Sequence, residues 1–246
     1  MTSSHQKPTL LIFTLGPCRE NLRKSLLPDA FSAAEHRLHQ AGLDGAIEAG
    51  RSSGCRVVVA APPGLALPAD VRHLYQRGEC FSSRLRNAVR VLQKERPGSP
   101  VVVVGTDVPN LAADHIRAAL LRVAVEPEDV VLGPCPDGGF YLLATRQPID
   151  QVLSQVKWCR RDTLASLIDA LHSQSLSTHL LSPLRDLDRS EDLELWLAHE
   201  SSGLIQGLVL WLLELLADLR RPLVAPILGR PRTAMIAAPT GRGPPV

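Results

Sequence analysis

The stretch Val101-Val-Val-Val-Gly-Thr-Asp-Val-Pro-Asn-Leu111 decides the fold class. Four consecutive valines leave no polar face, so the run reads as a strand buried on both sides, as in a parallel sheet covered by helices. A glycine, a carboxylate and a proline follow at once, and apolar residues at helical spacing then run over about 111–125. Working outward, residues 9–14, 56–61 and 129–133 repeat the short strand-like run, and 140–145 follows Gly138-Gly139 as a fifth. Helical spacing fills about 30–50, 81–95 and 161–174, with Leu85, Val89 and Leu92 on one face of the second. This alternation predicts an α/β fold: a three-layer α/β/α, Rossmann-like domain around a mostly parallel sheet.

In such a sheet, ligands bind beyond the carboxyl ends of the strands, so polar residues directly after a strand are the candidates for chemistry. Asp107 is one, and a carboxylate there suits Mg²⁺ or Mn²⁺, which favour oxygen ligands and substrate phosphates. The other reading is a turn or cap, for which Asn110 is better placed at the helix that follows. Pro136-Asp-Gly-Gly139 is the second cluster, where paired glycines allow close backbone approach or simply form a hairpin turn. Cys135 beside it has no neighbouring histidine and does not read as a nucleophile. The third cluster is Arg185-Asp-Leu-Asp-Arg-Ser-Glu-Asp192. In an extended segment Asp186 and Asp188 point the same way, toward a metal or sugar, while Asp188 with Glu191 is also a capping-box pattern.

Composition narrows the class. The chain has 246 residues, is 45% hydrophobic and only 4% aromatic, and carries 27 Lys+Arg against 25 Asp+Glu. A net charge of +2 and scarce stacking residues exclude a nucleic-acid-binding design. Five cysteines, an odd number without a C-x-x-C pair, read as reduced thiols, and the polar start without a signal-peptide core predicts a cytoplasmic address. No G-x-S-x-G, H-E-x-x-H, Walker loop or G-x-G-x-x-G is present. The leucine-rich run 204–219 has 16 residues, short of the about 20 that span a bilayer. Glu214 and Asp218 within it would cost about 5–7 kcal/mol, more than its aliphatic residues return. It is expected to form a helix buried on the domain or at a homodimer contact, with a peripheral membrane surface as the alternative. The expected division is therefore a domain over 1–200 and a C-terminal apolar helix with a Pro/Arg-rich tail over 201–246.

Taken together, Gly105-Thr-Asp-Val-Pro109, Gly133-Pro-Cys-Pro-Asp-Gly-Gly-Phe-Tyr-Leu-Leu143 and Asp186-Leu-Asp-Arg-Ser-Glu-Asp-Leu193 resemble a family of bacterial transferases with the glycosyltransferase-A fold. Its members are known as glycosyltransferase-like, radical-SAM/selenodomain-associated or arsenosugar-biosynthesis transferases. They are related to phospholactate and molybdenum-cofactor guanylyltransferases. Gln76-Arg-Gly-Glu-Cys-Phe-Ser-Ser-Arg-Leu-Arg-Asn-Ala88 and Trp158 extend the match over about residues 9–198.

The resemblance implies a nucleotide-sugar donor, a small-molecule acceptor and a Mg²⁺ or Mn²⁺ cofactor. It implies catalytic roles for Asp107, Asp137 and Asp188, with the metal on Asp107 and Asp188. It also implies substrate contacts from Lys24, Arg84, Thr106, Pro109, Gly138, Gly139 and Asp186. The family's first loop, R-x-P-x-x-G-x-x-K-T-R-L, stands here as Leu15-Gly-Pro-Cys-Arg-Glu-Asn-Leu-Arg-Lys-Ser-Leu-Leu27. On this reading Lys24 is the main cation left there for a phosphate. Ser82 also replaces a glycine, and Arg160 follows where threonine is common. Two other readings stay open: a nucleotidyltransferase using a nucleoside triphosphate, and a non-catalytic nucleotide-binding or scaffold protein.

Overall fold

A computed structural model of the chain describes residues 7–24, 26–27, 32–125 and 129–192. The elements run β1 (Thr9–Phe13), α1 (Pro17–Arg23), α2 (Ser32–Ser52), β2 (Arg56–Ala61), β3 (Arg72–Tyr75), α3 (Phe81–Glu95), β4 (Val101–Val104), α4 (Ala113–Val125), β5 (Val130–Pro134), β6 (Phe140–Thr145), α5 (Asp150–Gln155), α6 (Thr163–Ser173) and β7 (Thr178–Leu180). Among the described residues the strands form one sheet in the order β3-β2-β1-β4-β6-β5-β7. The four valines of β4 are all buried and pair with β1 in parallel, Thr9 opposite Val101. Only β6 runs against its neighbours, β4 and β5.

Alternation along the strands feeds two cores. Leu10, Ile12, Val57, Val59, Val102 and Val104 face α2 and α4, meeting Leu43, Ile47, Ile116 and Ala119. Leu11, Val58, Val101, Val103 and Leu132 face the other way onto α3, α5 and α6, meeting Leu85, Leu92, Leu153 and Leu167. A sheet apolar on both faces must be covered twice, so the layering follows from the strand composition.

All five expected strands are present, and β3, β7, α1 and α5 are additional. The two added strands lie at the edges of the sheet, where Arg72-His-Leu-Tyr75 and Thr178-His-Leu180 are partly exposed and need no apolar run. The antiparallel direction of β6 follows from its short connection to β5, too brief for a crossover helix. The expected helix over 204–219, the tail and the end of the expected domain at 200 lie outside the described residues. Among the described residues, no helix is long and apolar enough to cross a membrane.

Helix α2 fixes the position of the loop after β4. A Cβ added at Gly42 would meet the Thr106 carbonyl oxygen at 2.3 Å, whereas one at Gly45 meets nothing within 4 Å. Gly42→Ala is therefore expected to cost about 1–3 kcal/mol through overpacking, while Gly45→Ala on the same helix stabilises by about 0.5–1 kcal/mol. Urea melts of the two variants beside the unmodified chain check the pair.

Candidate functional site

The carboxyl ends of β1 and β4 and the amino end of antiparallel β6 meet at one edge of the sheet, because Val104 pairs with Leu142 and Pro134 with Phe140. A cleft of about 980 Å³ opens there. Asp107, Asp137, Gly138, Gly139, Asp186, Asp188 and Arg84 line it, so seven residues singled out in the sequence converge on one surface. Lys24, Thr106 and Pro109 are not part of that lining. Thr106 and Pro109 instead border a small hollow behind it with Leu26, His39 and Leu187. The Thr106 hydroxyl lies 3.2 Å from that of Thr14, an internal contact between the loops after β1 and β4.

The hairpin between β5 and β6 is both a tight turn and a wall of the cleft. Asp137 Oδ1 accepts the Gly139 N–H at 2.8 Å, and Gly138 has φ of 93°. A Cβ on Gly138 would lie 1.7 Å from the Arg161 carbonyl oxygen, so this glycine lets the hairpin and the loop before α6 touch. Leu164 N–H donates to the Gly138 carbonyl at 2.9 Å, closing the same contact.

The segment carrying Asp186 and Asp188 is stitched along the sheet edge by backbone bonds from Leu184 N–H to Pro134 and from Leu187 N–H to Asp107. Leu187 is buried, so its two aspartate neighbours face the cleft together, as period two requires. Asp192, not Asp188, accepts the N–H groups of Asp188 and Arg189 at the next helical turn. At α4 the Ala112 N–H is taken by His115 Nδ1, and not by Asn110.

Lys24 holds the position expected for the metal. Its Nζ is 2.7 Å from Asp107 Oδ2 and 2.5 Å from Asp188 Oδ1, and it donates to the Leu187 carbonyl at 3.3 Å. Three oxygens match the three N–H donors of an ammonium, which leaves none for a phosphate. Burial alone would lower the Lys24 pKa, but the two carboxylates outweigh it and raise the net value. Asp107 also stands above its ordinary value: burial is the largest cause, opposed by Lys24. A divalent cation bound to both Asp107 and Asp188 would have to displace the Lys24 ammonium.

A different group of ligand atoms lies nearby. One atom each from Cys135, Asp137 and Asp186 falls within 4.8 Å of the others. Burial pushes the Cys135 thiol up, so the group offers two carboxylates and a protonated sulfur. Asp186 is pushed up to about 7, first by burial and then by the charges of Asp137 and Asp188.

Two sets of cleft residues are given no site role by the sequence. Phe13, Phe81, Phe140 and Trp158 line it and contact one another, with centroids 5.3 Å apart for Phe13–Phe81, 5.1 Å for Phe81–Trp158 and 6.0 Å for Phe140–Trp158. Arg23, Arg160, Arg161 and Arg189 join Arg84 around the same space. Phe13 ends β1 and Phe140 begins antiparallel β6, which places both at the sheet edge that carries Asp107. Gln76 has a supporting part: its amide donates to the Thr14 and Ala60 carbonyls, both at 2.9 Å, joining the ends of β1 and β2.

The profile of the DUF2064 family, described as an uncharacterized protein conserved in bacteria, matches residues 43–160. No curated protein matches the chain by sequence. Among solved structures, a Desulfovibrio desulfuricans G20 protein named provisionally as a nucleotide-diphospho-sugar transferase is similar, with a TM-score of 0.73 and 18% identity over 87% of this chain and 98% of its own. A 4-diphosphocytidyl-2C-methyl-D-erythritol synthase is similar with a TM-score of 0.53 and 12% identity, over 78% of this chain and 97% of its own. The chain thus has the nucleotide-diphospho-sugar transferase fold.

The Asp186 carboxyl gives the site a pH signature. The folded chain keeps this proton up to about pH 7, whereas the unfolded chain releases it near the ordinary value of 3.8. The stability it contributes is thus complete below the ordinary value and lost as pH rises through 7. In metal-free buffer Asp186→Asn is expected to melt close to the unmodified chain at pH 4 and above it at pH 8. The gain at pH 8 should be on the order of 1 kcal/mol, discounted because solvent reaches the half-buried carboxyl. Thermal melts of both proteins at the two pH values check this.

Proposed function

We propose that the chain transfers a glycosyl group from a nucleotide-diphospho-sugar to a small-molecule acceptor. One observation carries the reading: a cleft at the carboxyl edge of the sheet sets five arginines and five aromatic rings against the Asp107, Asp137, Asp186 and Asp188 cluster. Guanidinium groups suit a diphosphate because their paired N–H donors match phosphate oxygens. Aromatic faces suit a base or a sugar ring. The fold shared with the Desulfovibrio protein supports the same class of ligand.

The chemistry follows from those groups. An acceptor oxygen bonds to the anomeric carbon while the bond from that carbon to the diphosphate oxygen breaks. The acceptor's proton leaves to a carboxylate of the aspartate cluster, and the arginines neutralise charge growing on the departing diphosphate. Mg²⁺ or Mn²⁺, where bound, supplies further neutralisation, and Asp137 with Asp186 are the residues that would hold it, hard oxygen donors suiting hard cations. Lys24 favours glycosyl over nucleotidyl transfer. A triphosphate needs more positive charge than a diphosphate, and this ammonium has its donors on Asp107, Asp188 and Leu187.

A thermal-shift panel of UDP-, GDP-, ADP- and CDP-sugars and the four nucleoside triphosphates, with Mn²⁺ and with chelator, tests the proposal. One nucleotide-sugar class at 1 mM is expected to raise the melting temperature by several degrees. Arg84→Ala is expected to weaken that ligand about tenfold, or about 1.4 kcal/mol. Stabilisation by triphosphates alone supports nucleotidyl transfer instead, and no shift with any nucleotide overturns both.

A further inference from the structure

We infer that Lys24 is a resident cation that occupies the point between Asp107 and Asp188 in place of a divalent metal ion, so that any metal used by this cleft binds elsewhere. Its ammonium contacts both carboxylates, at 2.7 and 2.5 Å, and lies within an almost fully buried side chain, 4% exposed. A Mg²⁺-sized ion bound to the same two oxygens at about 2.0–2.1 Å would need the point that Nζ fills. Ammonium and ion exclude each other sterically, and they repel each other electrostatically.

The lysine is held there by the backbone on both sides. Its own N–H donates to the Glu20 carbonyl at 2.8 Å where α1 ends. Two and three residues later, the N–H groups of Leu26 and Leu27 donate to the buried Glu35 carboxylate at 3.0 and 3.3 Å. Withdrawing the ammonium would therefore strip its three oxygen partners from a side chain whose main chain is anchored before and after it. The Leu187 carbonyl at 3.3 Å is the third of those partners, which a metal bridging the carboxylates would leave without its donor. This goes beyond the transferase reading and does not depend on it, because Mn²⁺ alone tests it without a nucleotide.

The test is a titration with Mn²⁺ read by the loss of the free-ion electron paramagnetic resonance signal, using the full chain without nucleotide. Asp107→Asn and Asp188→Asn are expected to change Mn²⁺ affinity less than twofold relative to the unmodified chain. Lys24→Gln, which removes the charge and keeps a donor, is expected to bind at least one further equivalent or to bind at least tenfold more tightly. Asp107→Asn introduced into Lys24→Gln should abolish that gain. A tenfold or greater loss of Mn²⁺ affinity in Asp107→Asn or Asp188→Asn with Lys24 present overturns the inference, and so does a folded Lys24→Gln chain with no gain. Should Lys24→Gln not fold, the two asparagine variants decide alone, since each leaves Lys24 one carboxylate partner. The nucleotide panel reads the transferase proposal separately, so either can fail without the other.

Discussion

The contact of the Lys24 ammonium with Asp107 and Asp188 is the constraint on which the site depends. It joins three segments far apart in sequence: the end of α1, the loop after β4 and the extended segment that returns along β5. Two carboxylates this close would repel each other in a partly buried position, and one ammonium between them leaves a net charge of −1 instead of −2. The remaining cluster keeps its strain in another form. Asp186, which has no ion pair among the described residues, is pushed up to about 7, first by burial.

The architecture around this contact divides the labour of the cleft. The hairpin from β5 to β6 and the loop before α6 meet through Gly138 and bring Asp137 and Arg161 to the mouth. The start of α3 supplies Phe81 and Arg84, and Trp158 packs between Phe81 and Phe140. In a chain with only 4 phenylalanines, 3 tryptophans and 2 tyrosines, three of the phenylalanines and one tryptophan line this cleft, where a ring-bearing ligand would lie.

Much of the fold was legible because it rests on strong, local patterns. The valines of β4 require burial on both faces, and glycine and aspartate after a strand in a parallel sheet mark the ligand edge. What escaped rests on non-local geometry. The edge strands β3 and β7 lack an apolar run because they bury little, and the direction of β6 depends on how the hairpin closes. Lys24 reads as a phosphate ligand from its loop, yet its partners Asp107 and Asp188 lie more than 80 residues away, and the two ion pairs take up its ammonium. Thr106 and Pro109 share a motif with Asp107 but lie off the cleft lining, since neighbours along a chain need not share a surface. The arginines other than Arg84 were hidden by the opposite problem. Arg23, Arg161 and Arg189 come from three separate segments, and only folding gathers them around Arg84.

The most direct measurement is a crystal structure of the full chain soaked with Mn²⁺ and a nucleotide diphosphate, with anomalous scattering used to locate manganese. The account predicts diphosphate density among the cleft arginines, with Lys24 still between Asp107 and Asp188 and no anomalous peak at that point. A manganese peak bridging those two carboxylates, with Lys24 turned away, would contradict it.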